Sequence, residues 1–245
     1  MVEIIPFQLI KKLVDSLSPE ELMELTEEAM TKDAKGLVAE FPQVINSSAK
    51  GFFKIKHGYL TSSEDGFLTM KIGSYFPNNS SSLQKKNLQA TIQLFDLNSG
   101  GLKYVLDDQS LITGVRTASA ATFVLKMIDP YVKQVGIVGS GDQAFYLIQI
   151  LNKVLGVADF AVYARSEKSY DDLNKRIPKG LKVRLKKFNS VHELSKAQEV
   201  IMLATSATKP VIFRDDLHES SLIIGLGADT PSKNEIDSKI YSEVS

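Results

Sequence analysis

Cysteine is absent from the 245-residue chain, and so is tryptophan. Without cysteine, disulfide bonds, thiolate nucleophiles and thiolate metal ligands are excluded. Histidine is scarce, and His57, His192 and His218 show no metal-ligand spacing, so we predict no metal site. An excess charge of either sign is also missing, since 29 basic side chains balance 29 acidic ones. This balance argues against nucleic acid and anionic membranes as partners.

The sequence also lacks the signals of export and membrane insertion. The N-terminal segment carries an early acid and a proline among its apolar residues, unlike a signal peptide. No window is expected to reach the apolar length that spans a bilayer. We therefore predict a cytoplasmic protein. Its 245 residues allow one large domain or two modest ones, and its hydrophobic content of 43% is enough for a core.

The most informative stretch lies near the middle of the chain. An apolar run at 135–138 is typical of a buried strand, and apolar residues at three- and four-residue steps from Phe145 indicate a helix. Between them, Gly139, Gly141 and Ala144 fit the pattern G-x-G-x-x-A, with Asp142 and Gln143 in the same turn. Strand, glycine turn and helix together predict a dinucleotide-binding site. The alternative is a tight turn that binds no ligand.

The next predicted strand, 160–164, bears on which dinucleotide is bound. An NAD site usually has an acid at the carboxyl end of this strand, whereas Asp159 stands at its start. Arg165 and Ser166 stand at the carboxyl end instead. An arginine there suits a 2′-phosphate, with the hydroxyl as a second donor. We therefore predict an NAD(P) cofactor and favour NADP(H) over NAD(H); an ordinary surface arginine is the alternative.

Hydrophobic periodicity predicts two domains. Residues 4–45 read as helical, with a capping box that starts at Ser18 and a helix end at Gly36. Residues 50–106 read as an antiparallel sheet, including a hairpin turn at 98–101 and a polar loop at 78–86. A helix over 113–127 then leads to alternating strands and helices, with strands near 135–138, 160–164, 182–188, 199–204 and 221–226. The fold class is thus α/β: an α+β domain over 1–127, then a Rossmann-type doubly wound parallel sheet over 128–245.

Four motifs in order resemble the ornithine cyclodeaminase/mu-crystallin family. They are Met70-Lys71-Ile72 leading to Phe76-Pro77, Leu106-Asp107-Asp108 followed by Arg116-Thr117-Ala118, the glycine turn with Gln143, and Gly225 to Asp237. The resemblance implies a homodimer in which an α+β domain dimerises and a Rossmann domain follows. It places the active site in the cleft between these two domains. It also implies hydride transfer at the Cα–N bond of an amino acid or cyclic imine, including the deaminating, lyase-type ring closure of ornithine.

The resemblance assigns roles to three charged residues. Lys71 corresponds to the active-site lysine, which would hold the substrate carboxylate or move a proton. Arg116 corresponds to an arginine that clamps the carboxylate, and Asp229 to the acid that takes a proton from the substrate amine. Each residue also has a purely structural alternative. Lys71 would be a lysine on the open face of a strand, Arg116 would form an ion pair on a helix surface, and Asp229 would belong to a turn before Pro231.

Further cofactor contacts are implied by the same resemblance. Thr117 corresponds to a residue near the nicotinamide, and Ala204, Thr205 and Ser206 correspond to the segment beside the cofactor. Helix packing and an ordinary strand-to-helix loop are the alternatives.

Two features depart from the family pattern. The family carries Pro-x-Arg in the first domain, but here Pro42-Gln43-Val44 has no arginine, and Lys50, Lys54 or Lys56 are the substitutes within reach. The family also continues beyond the position of Ser245, so we expect a truncated sequence or a shortened member with a less closed cleft. Both departures favour the alternative function, an NADPH-binding protein without turnover, whereas Lys71, Arg116 and Asp229 together favour an enzyme.

Overall fold

The computed structural model describes residues 1–62, 65–79, 86–230 and 232–242. Two compact units divide the chain, Met1–Thr113 and Gly114–Ser245. The division falls near the start of helix α3, Leu111–Ile128. The boundary predicted at 127/128 falls at the other end of this helix.

Two helices lie near the start of the first unit, α1 (Phe7–Ser16) and α2 (Pro19–Ala34). The predicted capping box is confirmed, because the Glu21 amide donates to Ser18 Oγ at 3.1 Å and the Ser18 amide donates to Glu21 Oε2 at 2.8 Å. Gly36 follows α2 with φ +67°, a left-handed conformation that ends helices. These contacts fix both ends of α2.

A mainly antiparallel sheet forms the rest of the first unit. Its order is β1-β7-β6-β5-β4-β2, with β3 also paired to β4 and β1 parallel to β7. The predicted antiparallel sheet and hairpin are confirmed. The strands are β1 (Glu3–Ile5), β2 (Val38–Glu40), β3 (Val44–Ser47), β4 (Phe52–Leu60), β5 (Phe67–Tyr75), β6 (Leu88–Asp96) and β7 (Leu102–Leu106).

The prediction that residues 4–45 are helical is wrong at three places. Strands β1, β2 and β3 interrupt that stretch. Each has only three or four residues and is held by pairing to a longer strand, so too few positions alternate to reveal a strand period. Of the polar loop predicted at 78–86, residues 80–85 lie outside the described part of the chain.

The second unit contains a five-stranded sheet of order β10-β9-β8-β11-β12, in which every pairing is parallel. This confirms the Rossmann-type prediction. The strands are β8 (Gln134–Val138), β9 (Asp159–Tyr163), β10 (Arg184–Phe188), β11 (Val200–Leu203) and β12 (Leu222–Gly225). The helices after α3 are α4 (Asp142–Leu155), α5 (Glu167–Arg176), α6 (Val191–Ala197) and α7 (Ser238–Tyr241).

The strand order creates a switch point between β8 and β11. The chain adds β9 and β10 on one side of β8, then returns to add β11 and β12 on the other. In open parallel sheets, ligands bind outside the carboxyl ends of the strands at such a point. The loops that follow β8 and β11 therefore define the candidate site.

Helix α3 corrects one expectation. Over its 18 residues the mean hydropathy is 1.3, so length and composition alone would allow it to cross a membrane. The sequence prediction that no window reaches this limit is wrong, because alanine and isolated aliphatic residues accumulate here around a single arginine and a single lysine. Leu111, Ala118 and Leu125 are buried, and core helices of globular domains pass the same test.

Candidate functional site

The glycine turn after β8 has the geometry of a phosphate cradle. Gly139 has φ +123°, and a Cβ there would lie 2.4 Å from the carbonyl oxygen of Ala204, so only glycine fits. Gly141 precedes α4 as its N-cap and has no side chain with which to cap the helix. A Cβ at Gly141 would meet nothing within 4 Å, so the backbone faces open space. The first-turn amides of α4 thus fit a pyrophosphate.

The residues at the start of α4 support this fit. Asp142 Oδ1 accepts a hydrogen bond from Arg176 Nη2 at 2.6 Å, and the Arg176 guanidinium carbon lies 4.5 Å from the centre of the Phe145 ring. Gln143 has a buried side-chain oxygen that no described hydrogen-bond donor reaches. Ala144 is fully buried, which allows α4 to pack closely on the sheet. An unpaired polar atom beside an uncapped helix start is the pattern expected where a dinucleotide binds.

Arg165 and Ser166 lie at the carboxyl end of β9, as the sequence predicts. Arg165 is exposed. Ser166 is the N-cap of α5: its Oγ accepts from the Ser169 amide at 3.2 Å. The Ser166 hydroxyl is therefore already used as a cap acceptor, while Arg165 is exposed just beyond the end of β9.

The loop after β11 is held by a buried carboxylate that the sequence analysis missed. Glu235 is 1% exposed, and its Oε1 accepts from both the amide and the hydroxyl of Thr205 at 2.8 and 2.7 Å. Its Oε2 accepts from the Gly227 amide at 2.7 Å. The carboxylate thus ties the 204–206 segment to the loop after β12. A lone glutamate in a polar stretch gives no signal of burial, and only the family motif included this residue.

Arg116 and Asp229, both in the second unit, interact electrostatically. Partial desolvation lowers the pKa of Arg116, and the charge of Asp229 raises it. Asp229 also accepts from Lys233 Nζ at 2.7 Å, and the Lys233 side chain is largely buried. Lys233 was not predicted, although it lies in the same motif. Thr117 follows Arg116 on α3 and is half-buried; Pro231, the basis of the alternative turn at Asp229, lies outside the described residues.

Lys71 lies on β5 in the first unit, on the same sheet face as Lys54 and Lys56 of β4. Its Nζ donates to Thr113 Oγ1 at 2.7 Å. Lys56 is its direct cross-strand neighbour, and Lys54 is opposite Gly73. Lys54 is buried and Lys56 is exposed. Of the three substitutes named for the missing arginine, these two therefore share a surface with Lys71.

The segment Pro42-Gln43-Val44 does not supply an equivalent of the missing arginine. Val44 pairs with Ile55, so its side chain lies on the sheet face opposite to that of Lys71. Its neighbour Ile45 pairs with Lys54 instead. Lys54 and Lys56 of β4 are therefore the cations that we consider in place of the missing arginine.

The chain belongs to the ornithine cyclodeaminase/mu-crystallin family, whose profile matches residues 7–245. This membership confirms the resemblance found in the four motifs. It also fits the α+β unit followed by a parallel sheet with a glycine turn.

Individual relatives differ in the activities that their names state. The ketimine reductase mu-crystallin of Macropus fuliginosus is 28% identical over 192 residues, covering 78% of this chain and 59% of the relative. The alanine dehydrogenase of Archaeoglobus fulgidus is 27% identical over 240 residues, covering 96% and 71%. The chain thus spans about three fifths of the mu-crystallin length.

Among solved structures, the Thermococcus litoralis Δ1-pyrroline-2-carboxylate reductase, in complex with NADH and L-proline, has the same fold. It superposes with a TM-score of 0.84 at 24% identity, covering 98% of this chain and 72% of that chain. These relatives are enzymes of imine or amino-acid chemistry.

Proposed function

We propose that the protein is an NAD(P)-dependent oxidoreductase of the ornithine cyclodeaminase type, acting on the Cα–N bond of an amino acid or cyclic imine. The observation that carries this proposal is the glycine turn at the switch point, with an uncapped helix start and a buried Gln143 oxygen that no described donor reaches. When bound, the nicotinamide supplies or accepts the hydride. Membership in a family that includes reductases and dehydrogenases supports the same reaction class.

The roles we propose for the protein's own residues follow from their chemistry. Arg116 presents a planar fork that suits a bidentate clamp on a substrate carboxylate. Asp229, half-exposed and close enough to influence Arg116, would take the proton from the substrate amine. Lys71 would bind the carboxylate or carry a proton, with Thr113 as its hydroxyl partner.

We further propose that NADP(H) is preferred to NAD(H). The support is the placement of Arg165 at the carboxyl end of β9, with Asp159 at the opposite end in a pair with Arg184. An arginine at this position favours a 2′-phosphate. We also propose a cytoplasmic homodimer, on the basis of the family resemblance.

Calorimetric titration with NADPH and with NADH tests the cofactor proposal. NADPH should bind more tightly, and Arg165→Ala should weaken NADPH by roughly ten- to a hundredfold while leaving NADH nearly unchanged, because a lost charge-assisted hydrogen bond removes ~1.5–3 kcal/mol. Arg184→Ala is the matched control, since Arg184 is an exposed arginine of the same unit paired with Asp159. A preference for NADH would overturn the NADP(H) assignment, and no binding of either would overturn the enzyme assignment.

Turnover separates the enzyme from a binding protein. With the protein present, an amino acid added to NADP⁺ should raise the absorbance of reduced nicotinamide. A cyclic imine added to NADPH should lower it. Arg116→Ala and Asp229→Asn should lower that rate without loss of NADPH binding. Tight NADPH binding without any turnover would favour the non-catalytic alternative.

A further inference from the structure

A buried carboxylate lies between β7 and α3. Asp108 is 0% exposed, and neither of its carboxylate oxygens accepts a hydrogen bond of ordinary geometry in the described structure. Buried carboxylates in proteins are almost always hydrogen-bonded or paired. This one therefore requires an explanation that the fold alone does not provide.

The backbone around Asp108 is strained. Gln109 and Ser110 have φ values of 46° and 68°, and they are the two non-glycine residues with positive φ among those described. The Leu111 amide donates to the Asp108 carbonyl oxygen at 2.8 Å as α3 begins. Two consecutive left-handed residues cost free energy, and such strain concentrates at functional sites. The turn is thus built to hold Asp108 inward at the start of α3.

The charged group that faces Asp108 from another element is Lys71. Burial raises the pKa of Asp108, while the amides of Ser110 and Ile112, which point toward the carboxylate, and the charge of Lys71 lower it. Asp107, the preceding residue, raises it slightly. Lys71 itself is fixed by its bond to Thr113, in the first turn of the same helix. Lys71 is therefore held by the first turn of α3, and its charge acts on the carboxylate just before that helix.

Two further lysines share the sheet face of Lys71. Lys56 is the direct neighbour of Lys71 across the β4–β5 pair, and Lys54 lies one step further along the same face. Repulsion among like charges on one face acts against an ammonium group. A carboxylate beside Lys71 offsets that repulsion.

We infer that Asp108 is a positioning residue that keeps Lys71 protonated, so that Lys71 acts as a fixed cation for a substrate carboxylate and not as a base. This inference deepens the proposed function and rests on it. A purely structural reading, in which Asp108 is only the N-terminal cap of α3, makes a different prediction.

Asp108→Asn separates the two readings, because asparagine caps helices as well as aspartate but carries no charge. The measurement is the titration of lysines labelled with ¹³C at Cε, with Lys71 assigned through Lys71→Arg. Loss of the anion should lower the pH at which Lys71 loses its proton by about one unit. Asp107→Asn, which removes a carboxylate from the adjacent position, should leave that pH nearly unchanged. No shift in Asp108→Asn, or the same shift in both variants, would overturn the inference.

A second measurement does not depend on the folding of Asp108→Asn. The carboxyl ¹³C resonance of Asp108 is titrated in the wild-type protein and in Lys71→Met. The pKa of Asp108 should rise in Lys71→Met because its cationic partner is lost; an unchanged value overturns the pairing. Both titrations are made without substrate, so failure of the proposed function would appear separately, as an absence of NADPH binding or turnover. If turnover is found, the alkaline limb of kcat/KM should move to lower pH in Asp108→Asn alone.

Discussion

Glu235 Oε1 accepts two hydrogen bonds from Thr205, one from its hydroxyl at 2.7 Å and one from its amide at 2.8 Å. These two residues are distant in sequence, and their pairing closes the loop after β11 against the segment that carries Asp229. The Thr205 hydroxyl oxygen then accepts from the Ala207 amide at 3.1 Å. Because the Thr205 hydroxyl already donates a hydrogen bond to Glu235, its orientation is fixed before any ligand binds.

Glu235→Gln should destabilise the protein by about 1–3 kcal/mol, because the amide NH₂ would face a backbone donor and leave it unpaired. Chemical denaturation measures this change. Glu219→Gln, an exposed glutamate of the same unit, is the control and should change stability by less than about 0.5 kcal/mol. Equal stability of Glu235→Gln and wild type would contradict the role of this carboxylate.

Substitution by alanine should have different effects at the two glycines of the turn after β8. Gly139→Ala should destabilise the fold by more than about 1 kcal/mol, because the residue has φ +123° and the new methyl meets the Ala204 carbonyl. Thermal unfolding monitored by circular dichroism measures the loss.

Gly141→Ala should leave stability nearly unchanged, since its Cβ would meet nothing within 4 Å. It should weaken NADPH by about tenfold, ~1.4 kcal/mol, because the methyl occupies the space where a pyrophosphate approaches the backbone. Calorimetry gives the affinity. Unchanged affinity would argue that the turn binds no dinucleotide.

Arg176 neutralises an acid at the phosphate end of α4. Arg176→Gln should weaken NADPH by up to about fivefold, because Asp142 would then repel the pyrophosphate and exposed pairs are worth ~0–1 kcal/mol. Asp142→Asn in the same chain should restore affinity. Arg184→Gln, which breaks a comparable pair with Asp159, should have no effect on binding; an equal loss in this control would refute the local mechanism.

Asp159 contributes to the acid stability of the second unit. Its hydrogen bond with Arg184 lowers the pKa of Asp159 below the usual value. A lowered folded-state pKa gives stability that is present above the unfolded pKa of ~3.9 and is lost as the pH falls through the folded value. The melting temperature of Asp159→Asn should therefore lie below that of wild type at pH 7, and the difference should narrow below about pH 4. Asp172→Asn, on the exposed surface of α5, is the control for the aspartate-to-asparagine change itself.

The parts of the fold that were predicted correctly depend on local signals. The run from β8 through Gly139 and Gly141 into α4 carries its strand period, turn chemistry and helix period within one short stretch. The capping box at Ser18 is likewise complete within four residues. Such features need no knowledge of distant contacts, so they are visible in the sequence.

The parts that were missed depend on contacts between distant residues. Strands β1 to β3 exist because longer strands pair with them. The burial of Glu235 and Asp108 follows from packing, since a carboxylate is exposed far more often than it is buried. Lys233 is set apart from surface lysines by its largely buried side chain and by its pairing with Asp229. None of these arrangements has a signature in composition or periodicity.

Strand β1 has a consequence for the order in which the first unit forms. Its partner is β7, with Glu3 beside Tyr104 and Ile5 beside Leu106. A strand near the start of the unit therefore forms its hydrogen bonds with a strand near the end of the unit. During synthesis the first residues must wait, unpaired, until nearly the whole unit has left the ribosome. Non-local pairing of this kind slows folding and leaves an exposed edge in the meantime. Chaperone dependence of the nascent chain should therefore end only when β7 has emerged.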